Sequence, residues 1–338
     1  MRTLREPKKE ALPERKEKEA GRKRESSGKW KMFLPSVIAI IILVIAGQIL
    51  ANGFLSIKNI GSILMTASLL ALMSVAQNTV MISGDSGIDL SVGAIASMTA
   101  LICPMIPMAN SGMVAAGAVA AVVLGAAVGL INGAGIKLVK IPSMIMTLIM
   151  SSTVSGITMV ITKGQPAAHI SEALKGISDV IIQPIRLLTL IVLIILILAE
   201  LVLTRAPFGR KLRITGDNPN AAAICGIQIT GIGIAAYVIS GAVAGLTGLF
   251  LAGYAGSTTM TMGESYTLLS VAAVAIGGTN LAGGKGSYLA GALGALVLVI
   301  LNSILQALNM EQGVRSVIQG LLLVFIVFIN TKSTMTEK

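Results

Sequence analysis

Two aspartates four residues apart, Asp85 and Asp89, stand in the segment SGDSGIDLSVG from Ser83 to Gly93. Helical spacing would put both carboxylates on one face. An ionisable side chain inside an apolar run is expensive enough to mark a functional site, and Gly84 and Gly87 would let the helix break and offer backbone groups to a polar solute or a neighbouring helix. The simpler reading is a turn between two apolar helices, with Asp85 solvated and Asp89, ahead of Leu90 and Ser91, capping the next helix. Asp89 and Ser91 therefore stand as candidates for a helix break or a solute path. Asn78 and Asn302, with Gln77 and Gln306, are the other polar groups inside apolar runs, and they either line an aqueous path or bond across helices.

The segment GGTNLAGGKG, Gly277 to Gly286, invites comparison with a phosphate-binding loop. That loop requires G-x-x-x-x-G-K-[ST], whereas here Thr279 takes the first glycine position and Gly286 follows Lys285. The chain is thus not expected to bind ATP, and the segment reads as a glycine-rich turn anchored by Lys285. Cys103 and Cys225 lie on separate apolar stretches without metal-ligand spacing. His169 is the single histidine and reads as a solvated loop residue. With no Ser-His-Asp set, paired histidines or HExxH, neither catalysis nor a resident cofactor or metal is expected in this chain.

The elements that must position these groups follow from composition. Of 338 residues, 54% are hydrophobic and 12% charged, with a mean hydropathy of +0.86, which excludes a soluble domain with a charged shell. A helix needs about 20 apolar residues to cross the hydrocarbon layer. That length identifies ten candidate spans: 33–51, 60–82, 88–108, 113–132, 141–162, 187–204, 231–253, 265–282, 287–306 and 315–330. The stretch 60–108 reads either as two spans or as one broken, re-entrant helix. The expected fold is all-α, a polytopic membrane bundle of about ten transmembrane helices with both termini cytoplasmic. Glycines recurring every four residues, at 125, 129 and 133 and at 241 and 245, predict closely packed helix pairs.

Charge sets the orientation. Residues 1–31 hold twelve Lys/Arg and six Glu with almost nothing apolar, so they read as a disordered basic cytoplasmic tail in contact with anionic lipid and not nucleic acid. With a cytoplasmic start, the inner loops and tails carry 21 Lys/Arg and the outer ones 5. Residues 32–331 form the expected membrane domain, and two of its loops exceed simple turns. The outer loop, 163–186, includes a helical stretch from Ile170 to Val180 suited to lying on the surface. The inner loop, 205–230, opens with basic residues that anchor topology. After Gly216, Asp217 or Asn218 can cap a helix, Pro219 suits its first turn, and NAAAICGI follows, closed near Gly226. A short capped helix between two spans reads as a docking element.

Three blocks, SGIDLSVGA (86–94), ITGDNPNAAAICGI (214–227) running into AAYVISGAVAGLTGLFLAG (235–253), and SVAAVAIGGTNLAGGKGSYLAGALGALVLVILN (270–302), resemble the ribose-type sugar permeases of bacterial ABC importers. The resemblance implies an inner-membrane permease working with a second permease copy, an ABC ATPase subunit that holds the ATP and Mg, and an external solute-binding protein. It assigns the ATPase-coupling loop to Gly216, Asp217, Asn218, Asn220, Ala221, Ala222, Gly226 and Ile227. Asn220, Ala221 and Ala222 stand where such permeases carry an acidic or polar residue before paired alanines. The rival class is a proton- or cation-coupled secondary transporter in which Asp89 titrates.

Overall fold

A computed structural model describes residues 33–84, 87–106, 110–166, 170–321 and 324. The basic tail, Asp85, Ser86, His169 and most of the second half of the expected span 315–330 lie outside the described residues. The chain forms helices α1 (Phe33–Leu50), α2 (Ile57–Ile82), α3 (Val92–Ile102), α4 (Ser111–Lys137), α5 (Ser143–Thr162), α6 (Glu172–Lys175), α7 (Leu187–Arg205), α8 (Pro207–Asp217), α9 (Pro219–Ile224), α10 (Ile229–Ala255), α11 (Glu264–Ile276) and α12 (Tyr288–Ala307). A further helix, α13, runs over 312–321. The two short strands β1 (Val180–Ile182) and β2 (Ile185–Arg186) pair antiparallel ahead of α7.

Among the described residues seven helices, α1, α2, α4, α5, α7, α10 and α12, are long and apolar enough to cross a membrane. The segments expected at 88–108 and 265–282 instead contain the short helices α3 and α11, of 11 and 13 residues. Each is cut by glycine-bearing chain: the segment 83–91 precedes α3, and 277–287 follows α11. The outer loop also differs from its expectation. Its helical part is limited to α6 and one 3₁₀ turn, Gly176–Ser178, and the chain then turns into the β1–β2 hairpin.

Helix α2 is apolar around most of its circumference and therefore occupies the centre, buried on nearly all sides from Met65 to Ile82. Around it pack α7, α10, α11 and α12, while α3 lies against α10 and α5. Helices α5 and α7 keep wide apolar faces on the outside, including Leu148, Ile149, Val160, Leu193 and Leu198, as lipid-facing helices must. The glycine repeats join α4 to α10. A Cβ on Gly125 would lie 2.0 Å from the Gly241 carbonyl oxygen, and one on Gly129 would lie 2.1 Å from that of Tyr237. Backbones this close leave no room for any side chain at these positions, so α4 and α10 pack as a tight pair.

Candidate functional site

Two polar constructions hold one end of the bundle together. The first is the break between α2 and α3. Non-helical backbone at membrane depth needs its N–H and C=O groups satisfied by the protein, because lipid offers no partners. Asp89 is fully buried there, and its Oδ1 accepts from the Ser91 backbone N–H at 3.0 Å and from Ser91 Oγ at 2.6 Å. Ser240 Oγ on α10 donates to Oδ2 at 2.9 Å, and Asn132 Nδ2 on α4 donates to Ser91 Oγ at 2.8 Å. The Gln77 side-chain amide, oriented to satisfy both groups, bridges the backbone N–H and C=O of Asp89 at 3.1 Å each. The Leu90 N–H donates to Thr147 Oγ1 of α5 at 3.1 Å. Four helices thus converge on one carboxylate and its neighbours, and both carboxylate oxygens are engaged by protein donors. The arrangement fixes where the chain breaks.

The second construction is the junction of three loops. Gly84, after α2, meets Gly216 at the end of α8 and Gly283 in the 277–287 segment. A Cβ on Gly216 would stand 1.9 Å from the Ile82 carbonyl oxygen, and one on Gly283 would stand 2.6 Å from the Gly84 Cα. The Gly284 N–H donates to the Ile82 carbonyl at 3.1 Å. Asn78, fully buried, donates to the Ser287 carbonyl at 2.8 Å and accepts from Thr279 Oγ1 at 3.1 Å. Arg213 on α8 donates to the Gly286 carbonyl at 3.0 Å. The glycine-rich segment is therefore a backbone bracket between α2, α8 and α12, and its Lys285 points to the surface, exposed.

Beyond this junction the inner loop forms two helices where the sequence predicts one. The amphipathic α8 buries Gly209, Leu212, Thr215 and Gly216 and exposes Arg210, Lys211 and Asp217. Asn218 caps α9 by accepting from the Ala221 N–H at 3.0 Å, while Asp217 is the last residue of α8. Within α9, Ala222 is fully buried, but Asn220, Ala221 and Ala223 are exposed, and Ile224 is 88% exposed. Gly226, at φ +74°, turns the chain back, and the Ile227 N–H bonds to the Ala222 carbonyl at 3.0 Å. The result is a short apolar tip on a foot gripped by the three-loop junction.

Glu200 escaped the sequence reading, although a carboxylate within the apolar run of α7 is the kind of signal that should have exposed it. Its Oε2 accepts from the Tyr288 N–H at 2.7 Å, the Leu289 N–H at 3.3 Å and Ser287 Oγ at 3.1 Å, capping α12 from a neighbouring helix. Negative charge at a helix N-terminus is favourable, and three donors lose their acceptor when it is removed. Glu200→Ala is expected to destabilise the fold by about 1–3 kcal/mol. Glu200→Gln keeps an acceptor and should recover most of that loss, as measured by apparent melting midpoints of the purified chain in detergent.

Asn302, in contrast to Asn78, Asp89 and Ser91, lies toward the far end of α12, where it accepts from Gln319 Nε2 at 3.1 Å. The described residues contain no cluster of His, Cys, Asp and Glu able to hold a metal ion.

Among the described residues, then, apolar helices of membrane-spanning length surround a broken pair, and a short exposed foot stands at one end. A family described as branched-chain amino acid transport system permease components matches residues 59–327. The ribose import permease protein of Escherichia coli strain K12 is 31% identical over 311 residues, covering 90% of this chain and 95% of that protein. The ribose import permease protein of Bacillus subtilis strain 168 is 31% identical over 307 residues, covering 88% and 92%. The autoinducer 2 import system permease protein of Shigella flexneri is 28% identical over 290 residues, covering 86% and 84%. No solved structure gives a significant match. The chain belongs to this permease family, among the sugar permeases of ABC importers, and is a multi-pass protein of the bacterial inner membrane.

Proposed function

We propose that this chain moves a sugar or sugar-like solute into the cytoplasm by alternating access, driven by a partner ATPase that docks on α8 and α9. The observation that carries the reading is the exposed apolar tip at Ile224 on a foot held rigidly against α2 and the 277–287 bracket. An apolar side chain at the end of a short helix, on a support packed backbone to backbone against α2, is suited to seat in a partner's pocket. ATP-driven closure of the partner subunits pushes α8, and the push reaches α2 and α12 through backbone contacts that cannot yield. Rotation of the rigid bodies in two permease copies then opens the path alternately. An external solute-binding protein delivers the cargo.

The α8–α9 end is assigned to the cytoplasm. Arg205, Arg210, Lys211, Arg213 and Lys285 gather there, in keeping with the positive-inside rule. Of the two cysteines, Cys225 is exposed beside α9 and Cys103 is buried. A membrane-impermeant maleimide should therefore label Cys225 only after cells are permeabilised. The energy source is tested by uptake in proteoliposomes, where transport should require the ATPase subunit and ATP and should survive a protonophore. The gradient-driven alternative predicts the reverse, with Asp89→Asn abolishing uptake. Uptake without any ATPase subunit would overturn the proposal.

A further inference from the structure

We propose that this chain itself carries a solute site, a cavity of about 350 Å³ between α2, α11, α12 and α13, built for a neutral polyhydroxy molecule. The inference rests on the transport reading and adds the place and chemistry of recognition. The volume falls at the small end of the range of about 300–1,000 Å³ seen for small-molecule sites. Thr66, Ser265, Asn302, Gln312, Ser316 and Gln319 supply hydroxyl and amide groups, and Leu70, Leu269 and Leu298 supply apolar wall.

Among the described residues the lining contains no charged side chain. The cavity is open on one side, where Ser265, Gln312 and Ser316 are exposed, and a zwitterionic amino acid would find no opposite charge among these lining residues to pair with its ammonium or its carboxylate. A sugar brings only hydroxyls, each both donor and acceptor, and C–H faces that suit leucine. The Gln319–Asn302 bond uses one half of each amide, which leaves the Asn302 NH₂ to donate to a solute hydroxyl and the Gln319 carbonyl to accept from one. The chemistry thus favours sugars over amino acids.

Its position links it to the driving end. Thr66 is on α2, whose far end, at Ile82, is gripped by Gly216 and Gly284. Ser265 opens α11, whose far end leads into the 277–287 bracket, and Asn302 is on α12, which leaves that bracket. Movement of α8 therefore reaches three of the four walls through unbroken helices.

The test uses the full chain carrying Cys225→Ser and Ser316→Cys in lipid nanodiscs, with no ATPase subunit. Labelling of the new thiol by a small maleimide is timed with D-ribose, D-galactose, D-xylose or myo-inositol, and with L-leucine. At a concentration a few times its dissociation constant, at least one of the neutral polyols should slow labelling about fivefold, and leucine should not. Asn302→Leu, and separately the milder Thr66→Val, should each reduce that protection, with the sugar-free labelling rate of each variant as its own reference. Protection by none of the polyols, equal protection by leucine, or protection that survives both substitutions overturns the site. Because neither ATP nor its hydrolysing subunit is present, such a failure leaves the ATP-driven reading standing, and loss of ATP coupling would leave this result standing.

Discussion

Gly216→Ala should leave little correctly folded permease, although it adds a single methyl group. The new Cβ would fall 1.9 Å from the Ile82 carbonyl oxygen and 2.7 Å from the Gly284 nitrogen, both backbone atoms that cannot rotate aside. The methyl must either push α8 off the end of α2 or spread the 277–287 bracket, and with it the Gly284-to-Ile82 hydrogen bond. Overfilling at a rigid contact costs about 3 kcal/mol or more. In thermal size-exclusion measurements that corresponds to a fall in apparent midpoint of about 10 °C, or loss of the monodisperse peak. Gly156→Ala in α5 is the control, since nothing lies within 4 Å of its added Cβ. There the better helix propensity of alanine should make the change neutral or slightly stabilising, by up to about 1 kcal/mol. If both variants melt alike, the three-loop junction is not the restraint described above.

The second large effect separates docking from folding. Ile224→Glu places a charge on a side chain that is 88% exposed and packs on little within the chain, so insertion and melting should match the parent. In the proposed complex the same carboxylate is buried at the centre of an apolar contact, where an unpaired charge costs about 2 kcal/mol or more. Affinity for the ATPase subunit should drop at least about thirtyfold, and ATP-dependent uptake should fall with it. Ala222→Leu should behave oppositely, because Ala222 is fully buried inside the permease. It should lower stability first and coupling only as a consequence. Paired pull-down and ATPase assays decide the matter, and a normally coupled Ile224→Glu variant would remove α9 from the interface.

Much of this architecture was open to reading from sequence because lipid imposes simple rules. Length and hydropathy located the seven long helices among the described residues to within about five residues, since each must bury its own backbone polar groups, but they overcounted spans at 88–108 and 265–282. The glycine repeats at 125, 129 and 133 signalled the α4–α10 contact, because only small residues permit such approach. GGTNLAGGKG lacks both ends of the phosphate-loop motif, and its glycines serve close backbone packing against Gly84 and Gly216.

Tertiary structure alone decided which polar residues share a location. Asn78, Asp89, Ser91 and Asn302 look alike in sequence, as polar groups in apolar runs. Folding assigns the first three to bonds that hold one end of the bundle and the fourth to a cavity at the other. Local pattern carries no information on partners 41 or 209 residues away, such as Asn132 for Ser91 or Ser287 for Asn78. The same limit hid the partners of Glu200, which begin 87 residues downstream, and the burial of Ala222 between exposed neighbours. Apolar periodicity tells how each helix meets lipid or core. Which glycine faces which, and hence how α8 is gripped, depends on three loops meeting in space.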